Sequence, residues 1–72
     1  MPVITIQSLE LTQKMRERIA EKFSKVFAEE TLAKEEDIYI FFDGYSPKNV
    51  ARGKTLFSEK YPNFYEEHPD YK

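Results

Sequence analysis

The sequence contains no cysteine, which excludes disulfide bridges and thiolate zinc sites. It has one histidine, His68, and two glycines, too few for a histidine-rich metal site or a glycine-rich phosphate loop. His68 itself has the character of a solvated surface residue. The carboxylates mostly occur in runs, typical of solvated helix ends and not of an acid/base pair. The sequence therefore predicts no metal and no cofactor.

A basic excess and a long apolar run are also missing. Eleven basic and 13 acidic residues give a net charge of -2, which opposes nucleic-acid binding, even by aromatic stacking on a single strand. The longest apolar run, residues 38–42, is far shorter than the about 20 residues of a membrane span. Residues 1–6 lack the basic and apolar regions of a signal peptide. We expect a cytoplasmic protein with neither nucleic acid nor membrane as partner.

The chain is also short, at 72 residues, so it forms one domain. An isolated monomer of this size buries only about 60% of its chain surface, and no disulfide compensates. The sequence therefore predicts an unusually well packed core or self-association.

A strand, a helix and a second strand are predicted in that order. Residues 3–8 are rich in β-branched side chains that alternate between two faces. An apolar stripe then follows helical spacing, with Thr12 as N-cap and an end near residues 32–34. We expect that stripe to be core; its members are Leu11, Met15, Ile19, Phe23, Val26 and Phe27.

The second strand, Ile38 to Phe42, carries apolar residues on both faces, which indicates that both faces are covered. Strand, helix and strand form a βαβ unit with parallel strands, whose one helix covers one face. The other face favours contact with copies of the same chain. The expected fold class is α+β, with residues 1–60 as the βαβ domain and a short hairpin around Gly53. Residues 61–72 form an aromatic, proline-containing extension without regular structure, which either frays or lies across a neighbouring subunit.

Pro2 is the most unusual candidate for chemistry. Removal of Met1, expected before a small residue, leaves a free secondary amine at the start of a strand. Burial in an apolar pocket disfavours the ammonium form and lowers the pKa of such an amine. A neutral amine near pH 7 is a general base that needs no side chain. The simpler interpretation is that Pro2 only begins a strand. If Met1 is retained, the Pro2 nitrogen is an amide and cannot act as a base.

Pro2–Ile6, the helical stripe and Ile38–Phe42 together resemble the small βαβ subunits of the 4-oxalocrotonate tautomerase family. Residues 49–58 are similar to that family's segment of an asparagine, an aromatic residue and paired glycines, and the resemblance covers residues 2 to about 58. It implies that two subunits pair their sheets into four strands and that dimers assemble, often as a hexamer. It also implies that Pro2 moves a proton between oxygen and carbon of an enol–ketone pair.

The sequence departs from the family pattern where the family binds its substrate. The family's first arginine falls at Thr12 or Leu11, and its second falls at Tyr39. The family's aromatic residue before the glycines falls at Val50 in this sequence, and the second glycine of the family's pair falls at Lys54. The usual clamp for a dicarboxylate is therefore absent.

Basic residues near these positions are candidates to replace the lost arginines. Arg52 is the first choice, because a guanidinium binds a carboxylate in a bidentate manner, and Lys54 and Lys48 are further choices. Tyr39 is a candidate to donate a hydrogen bond to an enolate oxygen. Each of these residues also fits a solvated charge or an interface contact.

The leading hypothesis is a homo-oligomeric, cofactor-independent tautomerase of a small keto acid, with Pro2 as base and acid. A second hypothesis is hydration or dehalogenation of an unsaturated acid, which needs a water-activating carboxylate near Pro2. Glu10 is the candidate closest in sequence. A third is a non-catalytic oligomer that keeps the fold.

Overall fold

The computed structural model describes residues 2–71, so the predicted removal of Met1 lies outside the described residues. Two longer strands, β1 (Val3–Leu9) and β2 (Tyr39–Tyr45), flank the helix α1 (Gln13–Thr31). A hairpin and two one-turn helices follow: β3 (Ala51–Arg52), β4 (Thr55–Leu56), α2 (Phe57–Lys60) and α3 (Phe64–Glu67). Short 3-10 turns cover Glu35–Asp37, Pro47–Asn49 and Pro69–Tyr71. The α+β class is confirmed, and no helix within residues 2–71 has the length and apolar character needed to cross a bilayer.

The two long strands pair in parallel, as the βαβ prediction requires. Val3 lies opposite Tyr39 at one end of the ladder, and Leu9 lies opposite Tyr45 at the other. Ile4 and Ile6 are half-buried, whereas Val3 is exposed. This alternation follows from the two-residue period of a strand. The half-buried face is the one towards α1, since Ile4 lines an open cavity together with Phe23 and Phe27 of that helix.

The helix begins and ends close to the predicted residues. The side-chain oxygen of Thr12 accepts a hydrogen bond from the backbone N–H of Met15 at 3.2 Å, which satisfies one free amide of the first turn. At the other end, Leu32 adopts a left-handed conformation with φ 62°, and its N–H donates to the Ala28 carbonyl at 2.9 Å. Thr12 is therefore confirmed as the N-cap.

The apolar stripe of α1 is not a closed core in the single chain. Met15, Ile19 and Phe27 are half-buried, but Phe23 remains 47% exposed and Val26 58% exposed. The prediction that this stripe forms a core is wrong at the level of one chain. The physical reason is that a two-stranded sheet is too narrow to cover the whole stripe of a 19-residue helix.

The chain has more surface than a compact monomer of its mass. Its accessible area is 5923 Å², against about 4,700 Å² expected for 8.6 kDa. Its radius of gyration is 15.2 Å, against about 11 Å for a compact domain of this length. The molecule measures 43 × 26 × 14 Å, so its smallest dimension admits little more than one helix layer on one sheet.

The sheet face away from α1 is open and carries four large exposed side chains. Val3 and Tyr39 form one cross-strand pair on this face, and the other two side chains are Phe41 and Tyr45. Val3, Tyr39 and Phe41 are each about half exposed. We call this set the open sheet face. An apolar surface of this kind is typical of an interface.

The C-terminal segment is regular, so the prediction of an irregular extension is wrong. Its aromatic rings contact one another, with Phe64 at the centre: its ring centroid lies 5.5 Å from that of Phe57, 4.7 Å from that of His68 and 5.3 Å from that of Tyr71. The rings recur at three- and four-residue steps, which is helical spacing. Two prolines in the segment obscured this period. These contacts also join residues on both sides of the expected boundary after residue 60.

Candidate functional site

Pro2 lies at the entrance to β1 and is held there by its carbonyl group. The carbonyl oxygen of Pro2 accepts a hydrogen bond from the backbone N–H of Tyr39 at 2.9 Å. Pro2 is half-buried. Because proline has no N–H to contribute to the ladder, fixing its carbonyl defines its position while the nitrogen stays outside the strand pairing.

An open cavity of about 420 Å³ surrounds this position. It is lined by Pro2, Ala33, Lys34, Glu36, Asp37 and Tyr39. The parallel pairing explains this set, because the segment that leads into β2 must lie beside the segment that leads into β1. Backbone hydrogen bonds fix the 3-10 turn there: the N–H of Asp37 donates to the Lys34 carbonyl at 3.0 Å.

The charged groups of this cavity act on a free Pro2 amine in opposite directions. The carboxylates of Glu36 and Asp37 stabilise an ammonium ion at Pro2, whereas the ammonium of Lys34 disfavours it. All three side chains are exposed. In the single chain, then, Pro2 lies in a polar and solvated cavity and not in an apolar one.

Tyr39 is the predicted site residue that the structure brings to Pro2. It lines the same cavity and is 50% exposed, with its backbone bonded to Pro2. Its position follows from the register, in which Val3 lies opposite Tyr39. A phenol beside Pro2 has a hydroxyl that can donate a hydrogen bond to a substrate oxygen.

The basic residues of the hairpin lie at the other end of the sheet. Arg52 is in β3, and Lys54 is in the turn between β3 and β4, a hairpin that follows the carboxyl end of β2. The two ends of β1 are about 20 Å apart at the usual rise of a strand. Within one chain, therefore, Arg52 and Lys54 do not meet Pro2, and the same holds for Lys48 in the turn before the hairpin.

Glu10 also lies at the far end of β1. Its backbone N–H donates to the carbonyl oxygen of Tyr45 at 3.0 Å, one residue beyond the end of the ladder. Its side chain packs close to Gly44, where an added Cβ would lie 3.2 Å from the Glu10 Cγ. A water-activating role beside Pro2 within one chain is therefore open to Glu36 and Asp37 and not to Glu10.

Three charged residues of the Pro2 cavity were not predicted from the sequence: Lys34, Glu36 and Asp37. The carboxylate run that contains Glu36 and Asp37 was interpreted as a solvated helix end; both side chains are exposed, but their place beside Pro2 was missed. The signal that identifies them is the predicted βαβ topology itself, since residues just before the second parallel strand lie beside the start of the first. Within residues 2–71, no three histidine or carboxylate side chains are grouped so that they could hold a metal ion.

No family model, no curated protein and no solved structure matches this chain. The tautomerase resemblance therefore stays a prediction from the residues that carry it.

Proposed function

We propose that this protein is a cofactor-independent tautomerase that interconverts the enol and keto forms of a small keto acid in the cytoplasm. Pro2, freed by removal of Met1, is the base and the acid. The observation that carries the proposal is the pairing of Pro2 with Tyr39, which puts a strand-initial nitrogen and a phenol in one cavity. The resemblance to the 4-oxalocrotonate tautomerase family supports the same assignment.

The reaction is a proton transfer through one nitrogen. The neutral amine of Pro2 takes the hydroxyl proton of the enol and leaves the O–H electron pair on oxygen, which gives an enolate and a Pro2 ammonium. As that electron pair forms the carbonyl π bond, the electrons of the C=C bond take the proton from the Pro2 ammonium at carbon, so atoms and charge balance. Tyr39 donates a hydrogen bond to the substrate oxygen while negative charge develops there.

Assembly completes this site in the proposal. A neutral amine requires an apolar surrounding, which the solvated cavity of one chain lacks. Arg52, the candidate carboxylate ligand, lies at the opposite end of its own sheet, so a neighbouring subunit must supply it. The open sheet face and the large accessible area favour such contacts between copies. We infer a dimer-based homo-oligomer, a hexamer by the resemblance, in which subunits share their sheets.

A Pro2→Ala variant tests the proposal. We expect it to lose the ketonisation of the enol form of a small 2-keto acid, because a primary amine or amide at this position no longer has the geometry and basicity of the proline nitrogen. Pro62→Ala is the matched control, since Pro62 is exposed and lies outside the Pro2 cavity. Full activity in Pro2→Ala contradicts the proposal.

A second candidate function uses the same nitrogen with a carboxylate. Glu36 and Asp37 line the Pro2 cavity, and either can take a proton from water as the water oxygen bonds to an unsaturated acid. The Pro2 ammonium then protonates the adjacent carbon. Two results together would favour this function. The wild type hydrates or dehalogenates an unsaturated acid, and Glu36→Gln or Asp37→Asn loses that activity while enol conversion persists. Absence of both activities in protein with a free Pro2 would indicate a non-catalytic oligomer.

A further inference from the structure

A separate cavity of about 400 Å³ lies between the β3–β4 hairpin and α2. It is lined by Val50, Arg52, Thr55, Leu56, Phe57, Lys60 and Tyr61. Local hydrogen bonds define its shape. The N–H of Phe57 donates to the Val50 carbonyl at 2.8 Å, and the N–H of Tyr61 donates to the Phe57 carbonyl at 2.9 Å.

Two cations converge on this cavity from different elements. Arg52 lies in β3, opposite Thr55 in the hairpin register, so both side chains share one face of the hairpin. Lys60 is the last residue of α2. The described residues that line the cavity include no carboxylate. The positive charge of this pair is therefore not neutralised inside the cavity, which favours an anion.

The rest of the wall is apolar and aromatic. The ring centroids of Phe57 and Tyr61 lie 4.9 Å apart, and Val50 and Leu56 complete that side. The Lys60 ammonium lies 5.8 Å from the centroid of the Tyr61 ring, so the charge and the aromatic wall adjoin each other. A volume of this size accommodates a small organic ligand.

We propose that this cavity binds a monocarboxylate with a small apolar body. Arg52 and Lys60 hold the carboxylate, the Thr55 hydroxyl donates to one of its oxygens, and Phe57 and Tyr61 cover the apolar body. Inorganic phosphate fits less well, because the apolar walls strip its hydration without replacing it. We also propose that this cavity is the substrate subsite of the tautomerase, with Pro2 supplied by the neighbouring subunit. This second statement rests on the proposed function.

Titration of the full-length protein with hexanoate tests the site, with amide chemical shifts as the readout. We expect saturable shifts at Thr55, Lys60 and Tyr61, and weaker effects from acetate and inorganic phosphate. Arg52→Gln and Lys60→Gln should each weaken hexanoate binding about tenfold, the scale of one charge-assisted hydrogen bond. Lys60→Arg should retain binding, because it keeps the charge.

Lys25→Gln is the matched control, since Lys25 is exposed on α1 and does not line this cavity. Three results would overturn the site. Lys25→Gln and Lys60→Gln could weaken hexanoate binding equally, the amides of residues 55–61 could show no chemical-shift changes, or phosphate could bind more tightly than hexanoate. The binding assay needs no turnover. Hexanoate binding without enol conversion therefore refutes the proposed function alone, and enol conversion without hexanoate binding refutes this site alone.

Discussion

The backbone N–H of Tyr39 donates to the carbonyl oxygen of Pro2 at 2.9 Å, and both residues line one cavity. This hydrogen bond begins the parallel ladder and depends on the backbone of Tyr39, not on its side chain. The phenol can therefore be removed without disturbing the position of Pro2.

Replacing Tyr39 by phenylalanine separates these two roles. We expect kcat for enol ketonisation to fall about 100-fold, the cost of one donor to a developing oxyanion, with KM little changed. The backbone hydrogen bond persists in this variant. An unchanged kcat would assign the Tyr39 side chain to the interface instead of the site.

The pH dependence of the reaction should respond to charges in the Pro2 cavity. Asp37→Asn removes a negative charge from the cavity that holds Pro2, so we expect the pKa of the free amine to fall and the base limb of the pH–rate profile to move to lower pH. Lys34→Gln removes a positive charge and should move the limb to higher pH. Shifts of the same sign in both variants would show that these charges do not act on the amine.

Phe41→Glu should dissociate the oligomer. Phe41 is 50% exposed on the open sheet face, so burying a carboxylate against a second copy is unfavourable, whereas the single chain keeps it in solvent. Light scattering coupled to size exclusion measures the mass. Lys25→Glu, on the exposed side of α1, is the matched control and should assemble normally. A monomeric wild type, or a Phe41→Glu variant that still assembles, contradicts the proposed interface.

Thr12→Ala should lower the free energy of unfolding by about 1 kcal/mol, because the Met15 amide loses its capping acceptor. Thr12→Ser keeps the hydroxyl and should restore most of this loss, as measured by denaturant unfolding. The resemblance aligns Thr12 with a family arginine, so the assay also separates a structural role from a substrate contact. Unchanged stability with reduced turnover would indicate the contact.

The local elements follow from the sequence where side-chain period and capping chemistry agree. Ile4 and Ile6 alternate with polar or exposed neighbours, and Thr12 precedes a helical stripe, so β1 and the start of α1 are predictable. The hairpin around Gly53 is also predicted, and the glycine has the positive φ, 63°, that its turn needs.

What local patterns predict poorly is which segments meet in space. The aromatic cluster around Phe64 was missed because Pro62 and Pro69 suggested an irregular segment. The prolines only separate short helical turns, and the aromatic rings keep one helical spacing across them. The carboxylates Glu36 and Asp37 are exposed, as their charge run predicted, but their place beside Pro2 was missed because Pro2 is distant in sequence. The proposed contact of Arg52 with Pro2 of another subunit depends on packing between chains, which no local period encodes.

Intact-mass spectrometry of the protein purified from its own cells decides whether the Pro2 nitrogen is free. We expect a mass lower than that of the full sequence by one methionine residue, with no added acyl group, so that the first atom of the chain is the Pro2 nitrogen. A mass that retains Met1 in all molecules makes that nitrogen an amide, and it would contradict catalysis by Pro2.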